Sequence, residues 1–331
     1  MKAIIIDQAG GPEVLQEREV PDLQPVPGML TIDVTYAGVG YVDVLLRRGA
    51  FGDLLPMPAT PGLEVSGHVR AIGEGVKGFY VGQPVAAMTL QELGGYASQA
   101  HVRPALTVPL DQLGADIDLA VAASAIVNIT TAYMAVKNVA KMQEGDSVLV
   151  HAAVGGLGGF LGQVAKRLGA GHVSGTVGSA EKVKQAAAYG YDELFVRSGF
   201  VEQVLQATGQ SGVHFVFDPV GGEMRKQSLK VLRPLGQLIV VGNASGQEDV
   251  LQSDNELWLT NKAVAGFSLG DYSQFAPEEV GKAAKEALQM LAKKEIQANV
   301  FGVYPLRDVA ETHMLLEQGK TTGKLVLRME D

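Results

Sequence analysis

Residues 148–159 read Val-Leu-Val-His-Ala-Ala-Val-Gly-Gly-Leu-Gly-Gly, and a helical pattern follows at once. Val148, Leu149 and Val150 form a short apolar run of the kind buried in parallel sheets. Gly155, Gly156 and Gly158 then allow a turn with no Cβ atoms in the way. Beyond them Leu157, Phe160, Leu161, Val164, Ala165 and Leu168 recur at helical spacing. A strand, a glycine turn and a helix start together make an anion site. The unpaired first amides and the positive end of the helix dipole both face whatever lies over the turn. A dinucleotide pyrophosphate fits such a place, and Ala153, Gly155, Gly156 and Leu157 are the candidate contacts. In the G-x-G-x-x-G register Ala153 replaces the first glycine. An ordinary tight βα turn is the alternative, and the flanking strand and helix favour the site.

The end of the next strand bears on which dinucleotide is bound. An acidic residue about 20 positions beyond the turn usually accepts hydrogen bonds from the adenosine ribose of NAD. Here His172–Val177 is followed by Gly178-Ser179-Ala180-Glu181-Lys182, so no Asp or Glu stands at the strand end. Thr176, Ser179 and Lys182 offer hydroxyls and an ammonium, which attract a 2′-phosphate where a carboxylate would repel it. NADP(H) is therefore the expected cofactor. Two alternatives stay open: Lys182 as a solvated helix residue, and Glu181 reaching back to a ribose hydroxyl.

With 331 residues, 47% hydrophobic and 19% charged, the chain is large enough for two domains and has the balance of a soluble globular protein. A net charge of −9 and the lack of basic-aromatic clusters argue against nucleic acid and anionic membrane surfaces. The chain has no cysteine, which removes disulfides, thiolate catalysis and cysteine-ligated zinc. Asp7 interrupts the apolar start after Ile6, so an N-terminal strand is expected in place of a signal peptide, with a cytoplasmic location. Leu119–Val136 carries no formal charge and has the length of a membrane span. Its alanines, with Ser124, Asn128, Thr130 and Thr131, point to a buried helix.

The chain changes character along its length. Its first 120 or so residues alternate in short runs such as Leu30–Val34 and His68–Ile72, punctuated by Gly and Pro, which suggests a β-rich domain. Strand candidates at Val148, His172, Glu193, His214, Gln237 and Lys262 alternate with helical patterns, as in a doubly wound parallel sheet. Pro277 opens an amphipathic helix, and a last strand at Lys324–Leu327 is expected to complete the first domain's sheet. The expected division is residues 1–124 with 267–331, and an inserted Rossmann dinucleotide-binding domain at 125–266.

Several segments together resemble a known family. They are Gly10-Gly11-Pro12-Glu13-Val14-Leu15, Ala37-Gly38-Val39 with Asp43, Pro61-Gly62-Leu63-Glu64 with Gly67, Gly95-Tyr96-Ala97, and Thr131-Ala132-Tyr133. After the glycine turn come Asp218-Pro219-Val220-Gly221-Gly222, Tyr304-Pro305-Leu306 and Thr321-Thr322-Gly323-Lys324. In order and spacing they resemble the zinc-free quinone oxidoreductase branch, ζ-crystallin-like, of the medium-chain dehydrogenase/reductase superfamily. The resemblance implies an α/β fold: a doubly wound parallel Rossmann sheet inserted in a β-rich GroES-like catalytic domain. It further implies NADPH in the interdomain cleft and a homodimer, with Leu257, Trp258 and Leu259 either at a subunit edge or in the core.

In the same alignment the catalytic cysteine of zinc-dependent alcohol dehydrogenases falls on Gly40, and their ligating histidine falls on Leu63. No metal is expected. Without a Lewis acid, hydride addition suits a quinone or an α,β-unsaturated carbonyl, whose conjugation takes up the developing charge. Tyr41 is the candidate proton donor, and Thr131 a candidate catalytic or cofactor contact, with a buried helix threonine as the alternative. The branch usually has Asn at Gly40 and tyrosines at Leu45 and Phe51. The pocket of Gly40, Tyr41, Leu45 and Phe51 is thus expected to be roomier and less polar. Arg197, aligned with a tyrosine beside the adenosine phosphate, and Lys320 or Lys324 are candidate further cations for the 2′-phosphate. Gly242, Asn243, Phe267 and Ser268 lie at strand ends, where the resemblance puts backbone against the nicotinamide carboxamide. Two alternatives remain: an enoyl-thioester reductase, and a low-turnover crystallin-like binding protein.

Overall fold

In the computed structural model of the chain, residues 1–50, 52, 56–248 and 252–329 are described. The chain divides into two compact units, Met1–Thr130 with Leu269–Asp331, and Thr131–Ser268. The first division falls later than residue 124 because one continuous helix, Leu119–Met134, carries the chain across it. The second falls after Ser268 rather than after residue 266.

The first unit opens with β1 (Lys2–Ile5) and β2 (Gln16–Glu19), an antiparallel pair. It continues through β3 (Leu30–Val39), α1 (Tyr41–Arg47), β4 (Glu64–Ile72), β5 (Pro84–Met88), β6 (Gln99–Val102), β7 (Thr107–Pro109) and α2 (Leu119–Met134). A single π-type turn, Ala135–Val139, extends α2. The whole stretch Leu119–Val139 is long and apolar enough to cross a membrane, and 72% of its most apolar window is buried inside the protein.

The inserted unit alternates strand and helix. Its elements are β8 (Ser147–Val150), α3 (Gly156–Arg167), β9 (His172–Val177), α4 (Ala180–Val183), β10 (Glu193–Val196), α5 (Phe200–Ala207), β11 (Val213–Asp218), α6 (Glu223–Val231), β12 (Leu232–Val240), α7 (Asp254–Thr260) and β13 (Ala263–Gly266). All six strands are parallel, in the order β10-β9-β8-β11-β12-β13. This is the doubly wound arrangement, with its reversal of strand order between β8 and β11. Leu149, Phe200, Val204, Val216, Val231 and Leu238 fill one face. Each side chain of that size contributes about 1.5–3 kcal/mol by leaving water. β12 begins earlier than Gln237 because its pairing with β11 shifts register between Val213 and Phe215.

The chain then returns to the first unit through α8 (Leu269–Phe275), α9 (Pro277–Ala292), β14 (Val300–Pro305), α10 (Val309–Glu317) and β15 (Lys324–Arg328). β15 pairs antiparallel with β3, setting Leu325 against Val39 and Leu327 against Ala37. The resulting sheet runs β14-β15-β3-β4-β5-β7, with β6 also paired to β3. Ile4, Leu30, Ile32, Val65, Val85, Val102, Leu325 and Leu327 lie in its core. The last strand of the chain is therefore part of the sheet that carries Gly40 at the end of β3.

Candidate active site

In the inserted unit the expected contacts gather at the carboxyl ends of the parallel strands. The chain leaves β8 through His151 and Ala152, and the Gly155 amide turns back to the Ala152 carbonyl at 2.9 Å. Gly155 is the N-cap of α3, so Gly156, Leu157 and Gly158 are the first helical residues, whose amides lack intrahelical acceptors. The third fingerprint glycine is required sterically. A Cβ on Gly158 would lie 2.2 Å from the Ala152 carbonyl oxygen. Ala153 is tolerated for the opposite reason. A Cβ on Gly175 of β9 would stand 2.5 Å from the Ala153 methyl, so that glycine leaves the methyl its room.

Beyond β9, Gly178 has open space around it, and Ser179 is exposed with no capping bond from its side chain. The Arg197 amide bonds the Val177 carbonyl at 2.8 Å, which brings the end of β10 beside the end of β9. Arg197 is exposed, and its charge, with burial as the larger cause, lowers the pKa of Lys182. Glu181 acts on Lys182 in the opposite sense, and no carboxylate stands at the end of β9 itself, where Ser179 is exposed. Gly242, Asn243 and Ser268 are exposed, and the Phe267 amide is held by the Val240 carbonyl at 2.9 Å. Thr131 is buried in α2.

Thr176 is not one of the groups at this surface. Its side chain is buried, and its hydroxyl lies 2.9 Å from His151 Nδ1. His151 Nε2 reaches Ser228 on α6 at 2.8 Å, and burial lowers its pKa to about 3. In a parallel sheet both strand faces are covered, so a polar residue near a strand end can point inward. Asp218, at the end of β11, escaped the sequence reading as a functional residue. Its carboxylate accepts from the Val220 and Gly221 amides at 2.7 and 3.0 Å and sits 3.4 Å from Arg225 Nε, fixing the turn after the strand.

In the first unit a buried group of charges surrounds Gly40. Gly40 caps α1, and its amide donates to Asp43 Oδ2 at 2.7 Å. Asp43 Oδ1 accepts from the Gly62 amide at 3.2 Å. Burial, and the Asp43 and Glu64 charges, push the hydroxyl pKa of the fully buried Tyr96 well up. Burial is the main cause that raises the pKa of Asp43 to about 6, against the opposing pull of Lys324. Lys324 Nζ lies 2.5 Å from Glu64 Oε1, while Glu64 Oε2 accepts from the Val127 amide at 2.9 Å. A Cβ placed on Gly40 would stand 3.4 Å from both Asp43 Oδ2 and Lys324 Nζ. The glycine therefore leaves room for a Cβ at ordinary contact distance from a carboxyl and an ammonium.

This geometry corrects the expectation for Lys324. It opens β15 directly beside β3, so its side chain is buried on Glu64 and cannot serve as an exposed cation; Lys320 is exposed after α10. Tyr41 and Leu45, one helical turn apart on α1, are half-buried, whereas Asp43 and Arg47 are buried. Phe51 lies outside the described residues. His68 is exposed, and among the described residues no three His, Asp or Glu side chains gather as a metal site.

A doubly wound sheet with a glycine phosphate turn, inserted into a β unit closed by both ends of the chain, defines an oxidoreductase of the dehydrogenase type. Family models agree: residues 26–114 match the alcohol dehydrogenase GroES-like domain, and residues 156–297 match the zinc-binding dehydrogenase domain. A quinone oxidoreductase of Pseudomonas aeruginosa is 32% identical over 96% of each chain. A 2-haloacrylate reductase of a Burkholderia species is 31% identical over 98% of each. Among solved structures, the Escherichia coli quinone oxidoreductase complexed with NADPH superposes with a TM-score of 0.91 at 28% identity, covering 99% of this chain and 100% of that one. The chain belongs to the zinc-free quinone oxidoreductase branch of the medium-chain dehydrogenase/reductase superfamily.

Proposed function

We propose that this protein is an NADPH-dependent, zinc-independent reductase of quinones or α,β-unsaturated carbonyl compounds. The observation that carries the cofactor is the exposed end of β9, where Ser179 stands and Lys182 and Arg197 follow, in place of the carboxylate an NAD enzyme presents. The turn fits the pyrophosphate, since the backbone around Ala153, Gly155, Gly156 and Leu157 is kept close by the glycine at 158. Gly242, Asn243, Phe267, Ser268 and Thr131 are assigned to the nicotinamide end. Bound NADPH supplies a hydride. The chain's own part is to orient the two reactants and stabilise developing charge in a site that excludes water. Gly40 and Leu63 stand where zinc enzymes of the superfamily carry ligating side chains, which supports chemistry without zinc. Gly40, Tyr41 and Leu45 are assigned to the substrate pocket.

The test is NADPH and NADH oxidation by the purified protein with a panel of quinones and a panel of enones, before and after chelation. Turnover with NADPH on either panel, unaffected by the chelator, is expected. Preference for NADH, or loss of activity that zinc restores, overturns the proposal. No turnover on either panel, with NADPH bound tightly, favours the binding-protein alternative.

We further assign the homodimer edge to β13 and α7. β13 ends its sheet with one side unpaired by any described strand, and Trp258 and Leu259 of α7 are 74% and 70% exposed. An unpaired strand edge bordered by large apolar side chains is a surface that association covers.

A further inference from the structure

The turn after β8 holds one residue in a conformation that costs it energy. Ala152 has φ +52°, in the left-handed region that glycine enters freely and alanine does not. Its carbonyl shapes the turn. The Gly155 amide closes on that carbonyl at 2.9 Å, and α3 packs over it so closely that a Cβ on Gly158 would lie 2.2 Å from its oxygen. A strained residue persists only where its surroundings over-determine it. Here both chain neighbours of Ala152 are fixed on Thr176 of β9. The Ala153 amide donates to the Thr176 carbonyl at 3.0 Å, and the Thr176 hydroxyl lies 2.9 Å from His151 Nδ1.

His151 is fully buried where the strand order reverses, and its amide donates to the Phe217 carbonyl of β11 at 3.0 Å. Its ring spans from β9 to α6, with Nε2 2.8 Å from Ser228 Oγ, and meets the Phe200 ring of α5 edge to face at 5.1 Å. The direction of each bond follows from its chemistry. Ser228 donates its one hydrogen to the Met224 carbonyl at 2.6 Å, so its oxygen accepts from His151 Nε2–H. Nδ1 of the neutral ring then carries the lone pair and accepts from the Thr176 hydroxyl. Every group from Thr176 to Met224 has its partner, and the ring is locked in one tautomer and one orientation.

We propose that His151 is a positioning residue for the cofactor pyrophosphate: held between Thr176 and Ser228, it keeps Ala152 left-handed and so sets the direction of the first amides of α3. The proposal rests on the reading of the glycine turn as the pyrophosphate site. His151 itself touches no ligand. Its amide is anchored to β11 and its ring to β9 and α6, so the chain cannot rotate at residue 151. The bond from the Ala153 amide stops the compensating rotation on the other side. The turn is therefore set before the ligand arrives, and the strain at Ala152 is borne in folding rather than in binding.

His151→Phe keeps a flat buried ring and removes both of its bonds, while Thr176→Val keeps the shape and removes only the hydroxyl. Each is expected to raise the Kd of NADPH and that of NADH by the same factor, about tenfold, the scale of one lost buried hydrogen bond. Adenosine 2′-monophosphate carries no pyrophosphate. It should bind either variant within about twofold of the wild type, an outcome that general damage to the unit would not give. Adding Ala152→Gly to each variant should return the Kd of NADPH to within about threefold of the wild type, because glycine holds a positive φ without a clamp. Equal loss for all three ligands, no loss for the two dinucleotides, or no recovery with glycine overturns the proposal. Should His151→Phe fail to fold, Thr176→Val carries the comparison alone. Nitrogen-15 spectra of the ligand-free wild type should show His151 neutral with its proton on Nε2, and a proton on Nδ1 also overturns the proposal. A wild type that binds neither dinucleotide is instead the failure of the functional reading, and the spectra then decide whether the clamp exists.

Discussion

Lys324 and Glu64 form a buried ion pair at 2.5 Å between the first residue of β15 and the first residue of β4. The pair stands at the wall of the space left by Gly40, and Glu64 also holds the Val127 amide of α2. Removing only the lysine leaves a carboxylate buried without its counter-charge. Lys324→Ala is expected to cost about 3–5 kcal/mol of stability. Urea unfolding checks it, and Lys324→Met combined with Glu64→Gln should recover much of the loss. A double variant as unstable as the single one would show that the pair is not what holds β15 to β4.

The cation pair makes a separable prediction for the cofactor. Charge-assisted hydrogen bonds to a phosphate contribute about 1.5–3 kcal/mol each. Lys182→Ala and Arg197→Ala should each raise the KM for NADPH roughly 10- to 100-fold and change that for NADH little. Steady-state kinetics with both cofactors decides it, and equal effects on both would place the two cations away from the 2′-phosphate.

Local chemistry made the inserted unit legible. The change from alternating to helical spacing at residues 150–160 marks β8 and α3, and its repetition marks the sheet. What stayed hidden depends on residues distant in sequence. Thr176 reads as a strand-end hydroxyl until His151 is seen beside it. Lys324 follows a Thr-Gly pair and reads as a surface cation, and only the pairing of β15 with β3 turns it inward. Asp43, Glu64 and Lys324 come from three separate segments, so no spacing rule could gather them around Gly40. Trp258 was balanced between core and edge, and its exposure on α7 takes it out of the core.

Burial of ionisable groups sets the response to acid. His151 and His313 have their pKa lowered to about 3, chiefly by burial, from an ordinary 6.5. Their contribution to stability is present above pH 6.5 and is lost as pH falls toward 3, because the unfolded chain takes up protons that the folded one refuses. Asp43 acts oppositely: raised from 3.8 to about 6, it adds stability below 3.8 that is lost as pH rises through 6. Two histidines outweigh one aspartate, so stability should fall by on the order of 1 kcal/mol per pH unit from pH 6 to 4. His313→Gln should flatten that slope. Urea midpoints measured across the range check it, and an unchanged slope in the variant would mean that His313 is not buried neutral.

At the proposed subunit edge, Val264 on β13 and Trp258 on α7 present apolar surface beside an edge strand. A charge there should oppose pairing of two copies without touching the core. Val264→Asp with Trp258→Ala should shift the protein to monomer in sedimentation velocity, with its thermal transition otherwise retained. A wild type that sediments as a monomer would overturn the dimer assignment.

Gly40 separates pocket size from folding. Its backbone is extended, with φ −108° and ψ 160°, and it caps α1, a position that asparagine fills well. A Cβ there meets Asp43 and Lys324 at ordinary contact distance, so Gly40→Asn should fold with unchanged or slightly raised stability. The added amide would fill the space between the carboxyl and the ammonium and hydrogen-bond one of them. Bulky enones should then lose about tenfold or more in kcat/KM, while small quinones are reduced as before. Kinetics across a graded series of enone sizes reads the effect directly. A uniform change across the series would mean that the space at Gly40 does not receive the substrate.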